Sequence, residues 1–202
     1  MIQESIHFKG GFPDEDFIVQ TGNFFKESIE LLKQEDIETE IISSGGTVYA
    51  WNSWPKFASD LTMVNECRPG GYIFYDQIKV SEGVATLDKC AARILTTIIS
   101  TPAKGRVILD AGAKSLGVRR GYSDHDLRNH GYIVEYPESI IASCFEEHGI
   151  VVNCPEDMKI GQKATVIPNY IMDNFNVFDT CYGVRNGKVE AIWPILARGK
   201  SQ

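Results

Sequence analysis

The patterning of the chain changes near Val84, and that change limits what it can fold into. Before it, strand signals alternate with a helix signal. Residues 6–8 form a short apolar run ending at Gly10-Gly11, and residues 12–20, with Pro13, Asp14, Glu15 and Asp16, read as an acidic loop. Asn23 can cap a helix through about Gln34, with Phe24, Phe25, Ile29 and Leu32 sharing a face at helical spacing. Residues 40–43 read as a strand, Gly45-Gly46 as a turn, and Trp51, Trp54 and Pro55 as a loop. Residues 61–65 and 72–75 read as further extended segments. Strand, helix, strand is the pattern of a parallel sheet.

After Val84 the helix signals mostly disappear. Extended segments are predicted at residues 92–100, 106–110, 132–136, 140–145, 149–153, 165–169, 181–184 and 189–193. Asn186-Gly187 separates the last pair, and both residues tolerate positive φ, so a hairpin is predicted there. Many short strands with regular turns indicate a β-barrel or sandwich. The expected division is therefore 1–83, an α/β part, and 84–202, an all-β domain.

The net charge of -7 argues against a nucleic-acid partner, because neutralising phosphates needs a basic face. No apolar run approaches the roughly 20 residues of a membrane helix. The N-terminal residues lack the basic and apolar regions of a secretory signal. Cys67, Cys90, Cys144, Cys154 and Cys181 are odd in number and widely spaced, which fits free thiols in a reducing cytoplasm better than disulfides or a zinc knuckle.

Several segments carry chemistry. Ser43-Ser44-Gly45-Gly46-Thr47 follows a predicted parallel strand; bare glycine backbone and hydroxyls suit a phosphate, although an ordinary βα turn has the same look. In Arg68-Pro69-Gly70-Gly71 a turn precedes alternation that would point Tyr72, Phe74 and Asp76 to one face. That places a phenol and a carboxylate at a strand mouth, or simply a half-buried strand with a structural Asp. Asp110 and Lys114 flank a tight turn. Glu146, Glu147 and His148 could do acid-base work or bind metal, but a solvated turn is the simpler reading of that spacing. His7, His125 and His130 share no recognisable spacing.

Taken in order, ISSGGT, ECRPGGYIFYD, LDAGAK, EEHG, IPNYIM and NGKVEAIWPILARGK resemble the C-terminal part of the D-threonine aldolase and D-serine dehydratase family. The resemblance implies a pyridoxal-phosphate (PLP) lyase of the alanine-racemase-like fold, usually a homodimer, in which a (β/α)8 barrel holds the cofactor and a β-domain follows. Family members act on D-amino acids and use a divalent metal that holds the substrate's β-hydroxyl. By position, Gly46 and Thr47 match the phosphate-binding turn. Gly70 and Gly71 match a second cofactor contact where many relatives have Gly-Asn, and Tyr72 belongs to the same motif.

The chain also departs from the family. The Schiff-base lysine lies near the start of the family's barrel, and Lys9, Lys26, Lys33 and Lys56 do not match it. In the family's metal motif, Pro-x-His-x-(Cys or Asp), this chain has Pro168-Asn169-Tyr170-Ile171-Met172, so Tyr170 and Met172 occupy the ligand positions. Near Gly11-Phe12 relatives carry a Gly-His-like strand end. A (β/α)8 barrel takes about 250 residues. At about 30 residues per βαβ unit, residues 1–83 hold its last two or three strands. The expectation is a remnant of a PLP-binding (β/α)8 barrel followed by a D-serine dehydratase-like β-domain. It would form part of a PLP-dependent lyase, with the lysine-bearing half supplied by a second chain and without the usual metal. The alternative is a non-catalytic partner that kept the fold and lost the chemistry. Open sheet edges would leave Phe24, Phe25, Leu32, Ile41 and Ile42 only partly buried.

Overall fold

The computed structural model describes residues 2–3, 15–47, 63–117 and 129–200, with side chains from Val19 onward. The strand expected at residues 6–8, the loop around Trp51 and Trp54, Lys9 and Lys56, and His7 and His125 lie outside the described residues.

Three short strands, β1 (Ile2–Gln3), β2 (Ile42–Ser44) and β3 (Glu66–Cys67), make a parallel sheet in the order β1-β2-β3. Helix α1 (Glu15–Gln34) connects the first two. It begins at Glu15 rather than at Asn23, so much of the expected acidic loop is helical. Carboxylates complement the positive end of a helix, so an acidic run opens a helix as readily as it fills a loop. Helical spacing places Phe25 against Ile42, with Ile29, Leu32, Met63 and Val64 packed around them. Phe25 and Ile42 are buried, contrary to expectation, whereas Phe24 on the outer face is 47% exposed.

Residues 72–75 are not a strand. Gly71–Ile73 is a 3-10 turn, Tyr75 takes a positive φ of 53°, and the backbone N–H of Tyr75 donates back to the Gly71 carbonyl. The alternation that seemed to align Tyr72, Phe74 and Asp76 is therefore not used. Asp76 instead caps the short helix Gln77–Ser81.

The β-rich part closes into a six-stranded barrel, resolving the choice between barrel and sandwich. Its strands are β4 (Ile94–Ala103), β5 (Arg106–Leu109), β6 (Tyr132–Ile133), β7 (Ile140–Cys144), β8 (Gly149–Val152) and β9 (Lys163–Ile167). The order is β4-β5-β8-β7-β6-β9, all antiparallel, and β9 pairs back on β4 through Ile94↔Val166 and Thr96↔Ala164. Period-two alternation sends Ile98, Val107, Leu109, Ile133, Ile141, Val151 and Val166 inward. The strand predicted at residues 165–169 ends at Ile167, and the helix Ile171–Phe175, for which no element was predicted, follows. The predicted hairpin is β10 (Thr180–Arg185) with β11 (Lys188–Pro194), and Asn186 and Gly187 both adopt positive φ at its tip. Among the described residues, no helix is long and apolar enough to cross a membrane.

The barrel core should dominate stability. Ile98→Ala, at a fully buried site, is expected to cost about 2–5 kcal/mol in urea unfolding. Leu95→Ala, at a site 68% exposed on the same strand, should change stability by less than about 0.5 kcal/mol. Equal costs would contradict the inward and outward assignment of β4.

Candidate phosphate-binding site

β2 and β3 pair Ser43 with Glu66 and Ser44 with Cys67, so their C-terminal ends lie side by side. Ligands of α/β folds bind beyond such ends. Gly45-Gly46-Thr47 leaves β2 there, and Arg68-Pro69-Gly70-Gly71 leaves β3. The ends are tied together: Ser43 Oγ donates to Glu66 Oε1, Arg68 Nη1 donates to Ser43 Oγ at 2.6 Å, and the Arg68 N–H reaches the Ser44 carbonyl at 3.3 Å.

The glycines have steric reasons. Gly45 sits at φ +123°, and a Cβ there would stand 3.0 Å from Cys67 Sγ. A Cβ on Gly71 would stand 3.3 Å from the Thr47 hydroxyl and 3.5 Å from Lys79 Cε. Among the described residues, nothing lies within 4 Å of where a Cβ on Gly46 would stand. Thr47 is 4% exposed. The two loops thus form a bare-backbone cradle beside one buried hydroxyl, which a side chain at residue 71 would crowd. Such a cradle suits a phosphate group. Burial pushes the Cys67 thiol up, against the opposing N–H groups of Arg68 and Gly46, so it sits at the turn as a neutral thiol.

Of the residues expected to share a face with this turn, Tyr72 is exposed, and Phe74 stacks on Phe175 with ring centroids 4.6 Å apart. Asp76, 1% exposed, points away into a joint. One carboxylate oxygen accepts the Lys79 N–H at 2.9 Å and the other the Ile171 N–H at 3.1 Å. The backbone N–H groups of Gln77 and Ile78 reach the carbonyls of Pro168 and Asn169. Burial raises the Asp76 pKa, and the Lys79 and Ile171 N–H groups oppose the rise without cancelling it. The same burial, with Asp76 nearby, pushes the Cys90 thiol up to about 11.

Tyr170 precedes the helix Ile171–Phe175, and Met172 lies on it, its Cε 3.7 Å from where a Cβ on Gly70 would be. A thioether and a neutral phenol are poor donors for zinc or manganese, so these two positions do not fit the metal that the resemblance implied. Among the described residues, no group of three or more His, Cys, Asp or Glu side chains is placed to hold a metal ion. Glu146, Glu147 and His148 form the exposed β7–β8 turn, and Lys114 pairs with Glu147 at 2.8 Å in solvent. Asp110 accepts from the Thr96 hydroxyl and the Thr97 N–H, each at 2.7 Å, and serves the barrel.

Residues 91–184 match the family described as "Putative serine dehydratase domain". The chain is 33% identical to the 3-hydroxy-D-aspartate aldolase of Paracoccus denitrificans (strain Pd 1222) over 187 residues, covering 87% of this chain and 44% of that protein. It is 30% identical to the D-threonine aldolase of an Arthrobacter species over 178 residues, covering 86% of this chain and 43% of that protein. The chain belongs to the D-threonine aldolase and D-serine dehydratase family. It corresponds to the C-terminal part and spans under half the length of those two relatives. The crystal structure of D-threonine aldolase from Filomicrobium marinum superposes with a TM-score of 0.73 at 24% identity, covering 92% of this chain and 48% of that chain. The architecture is that of the alanine-racemase-like family fold, with the six-stranded barrel as its C-terminal domain.

Sequence reasoning missed Lys79, whose stem lies over Gly71, and missed that Asp76 is a structural cap. An Asp after a glycine turn, with Gln77, Ile78, Lys79 and Val80 following, was the available signal for the cap.

Two outcomes follow from the joint. A raised folded-state pKa means the folded chain binds the Asp76 proton more tightly than the unfolded chain. Relative to Asp76→Asn, the wild type should lose stability as pH rises from 3.8 toward the raised value, then level off. Urea unfolding of both proteins across that window checks the sign, and a relative gain would contradict it. Iodoacetamide at pH 8 should label Cys90 only after unfolding; rapid labelling of the native chain would contradict its burial.

Proposed function

We propose that this chain is the phosphate-binding and β-domain part of a PLP-dependent lyase acting on D-amino acids. The single observation that carries the reading is the cradle of Gly46, Thr47, Gly70 and Gly71 at the ends of adjacent parallel strands. When bound, PLP supplies the electron sink that stabilises charge developing at a substrate's α-carbon. This chain's residues do the holding. The backbone of Gly46, Gly70 and Gly71 and the Thr47 hydroxyl take the phosphate, and exposed Tyr72 borders the same turn. Asp76 keeps the β3 loop in place by fixing it to the segment after β9.

In this reading the lysine and the remaining barrel strands are supplied by a second, different chain. Parallel sheets are normally covered on both faces. Phe24 and Leu31 of α1, the latter 57% exposed, are apolar surface for such a partner. The domains in this reading are 1–83 and 84–202. The five free cysteines suit a reducing cytoplasm.

Tyr170 and Met172 specifically favour a second reading, a binding subunit that kept the fold and lost catalysis. The two separate by experiment. The purified chain mixed with PLP and reduced with borohydride should show no single stoichiometric lysine adduct, and elemental analysis should find no stoichiometric zinc or manganese. A unique modified lysine overturns the split-site reading, and one tightly held metal per chain overturns the expectation that the chain lacks the usual metal. Addition of a barrel half bearing the lysine should restore lyase activity on a D-3-hydroxy amino acid; a stable complex that stays inactive selects the binding-subunit reading.

A further inference from the structure

Lys79 stands out because none of the motifs above includes it, yet its side chain lies against the cradle. It leaves the helix Gln77–Ser81 and runs across Gly71, so a Cβ on Gly71 would meet Lys79 Cε at 3.5 Å and Cγ at 3.9 Å on one side. On another side it would meet Thr47 Oγ1 at 3.3 Å. The glycine therefore leaves room at one point shared by a buried hydroxyl and a lysine stem. The Lys79 side chain is only 13% exposed, and its ammonium pairs with Glu82 at 2.5 Å, itself 14% exposed. The helix carrying it is anchored at its start by Asp76, which accepts the Lys79 N–H and so sets where the side chain begins. A long cationic side chain held this far out of water needs counter-charge, and an ammonium carries three donors, more than the Glu82 pair among the described residues uses.

We propose that Lys79 is the cation of the phosphate-binding site, completing the Gly46, Thr47, Gly70 and Gly71 cradle for a phosphate monoester dianion. Glu82 holds the ammonium when no anion is bound and competes with the anion for it. The assignment rests on the cradle being a phosphate site. It makes Lys79 a binding residue and gives it no covalent role.

Equilibrium dialysis of the full chain with pyridoxal phosphate, with pyridoxal and with competing inorganic phosphate tests it. Lys79→Met keeps the apolar stem over Gly71 while removing the charge. It should weaken pyridoxal phosphate binding about tenfold or more, as expected for a lost charge-assisted contact. Binding of pyridoxal, which lacks the phosphate, should not change. Lys79→Arg should recover part of the loss, and Glu82→Gln should tighten pyridoxal phosphate binding and its competition by inorganic phosphate. A structural role alone would move both ligands together and would not make Glu82→Gln a gain. If the wild type prefers pyridoxal phosphate and Lys79→Met keeps the same preference, the Lys79 assignment is wrong and the cradle stands. An unchanged affinity in Glu82→Gln also overturns it, even should Lys79→Met fail to fold. If the wild type binds pyridoxal phosphate no better than pyridoxal, the phosphate-site reading itself falls, and Lys79 with it.

Discussion

The Asp76 carboxylate joins two segments separated by 95 residues, and the geometry of the candidate site depends on that joint. The loop leaving β3 has little regular structure of its own, only a 3-10 turn and a five-residue helix. Its position is set from outside, by Asp76 on the Ile171 N–H, by Gln77 and Ile78 on the carbonyls of Pro168 and Asn169, and by Phe74 on Phe175. An apolar cluster of Tyr75, Val84, Ala85, Cys90 and Ile167 lies beneath. A buried carboxylate taking two backbone N–H groups is worth keeping only while both partners stay in place, because either one lost leaves charge or donor unsatisfied. The closed barrel thus acts on the site through a few directional bonds at one rim.

The barrel was legible in the sequence because its physics is local and repetitive. Alternation along β5, β8 and β9 follows from strands with one face inside, and Asn186-Gly187 announces its hairpin through backbone conformation alone. Closure was not legible, since barrel and sandwich share the same alternation and differ only in whether β9 returns to β4. The start of α1 was misplaced because Glu15 and Asp16 suit both a loop and a helix N-terminus.

The site was legible as loops and not as geometry. Glycine pairs after short strands marked both turns, and the steric demands at Gly45 and Gly71 account for them. What followed the second pair was misread as a strand. The segment from Tyr72 to Asp76 has strand-like alternation, but Tyr75 turns the chain with a positive φ, and a Tyr there carries no sequence signal for it. Asp76 then faces a segment far along the chain, a partner no local pattern can name. Lys79 escaped notice for the same reason, because its neighbours Gly71 and Thr47 become neighbours only once the joint forms.

The joint also explains how residues 168–172 can change their chemistry while keeping their place. The groups that dock this segment on the β3 loop are backbone groups: the carbonyls of Pro168 and Asn169 and the N–H of Ile171. None of these three bonds uses the side chain of residue 170 or 172. Tyr170 and Met172 stand at the positions where the resemblance implies metal ligands without replacing any of these backbone bonds. Met172 in turn lies beside Gly70, where a flexible thioether fills space against bare backbone. In the proposed reading, cofactor holding and metal holding are separable properties of one rim. The first depends on glycines and on a carboxylate whose partners are main-chain atoms. The second would depend on the side chains at residues 170 and 172, so under the proposed reading a chain can differ there and keep the glycine cradle.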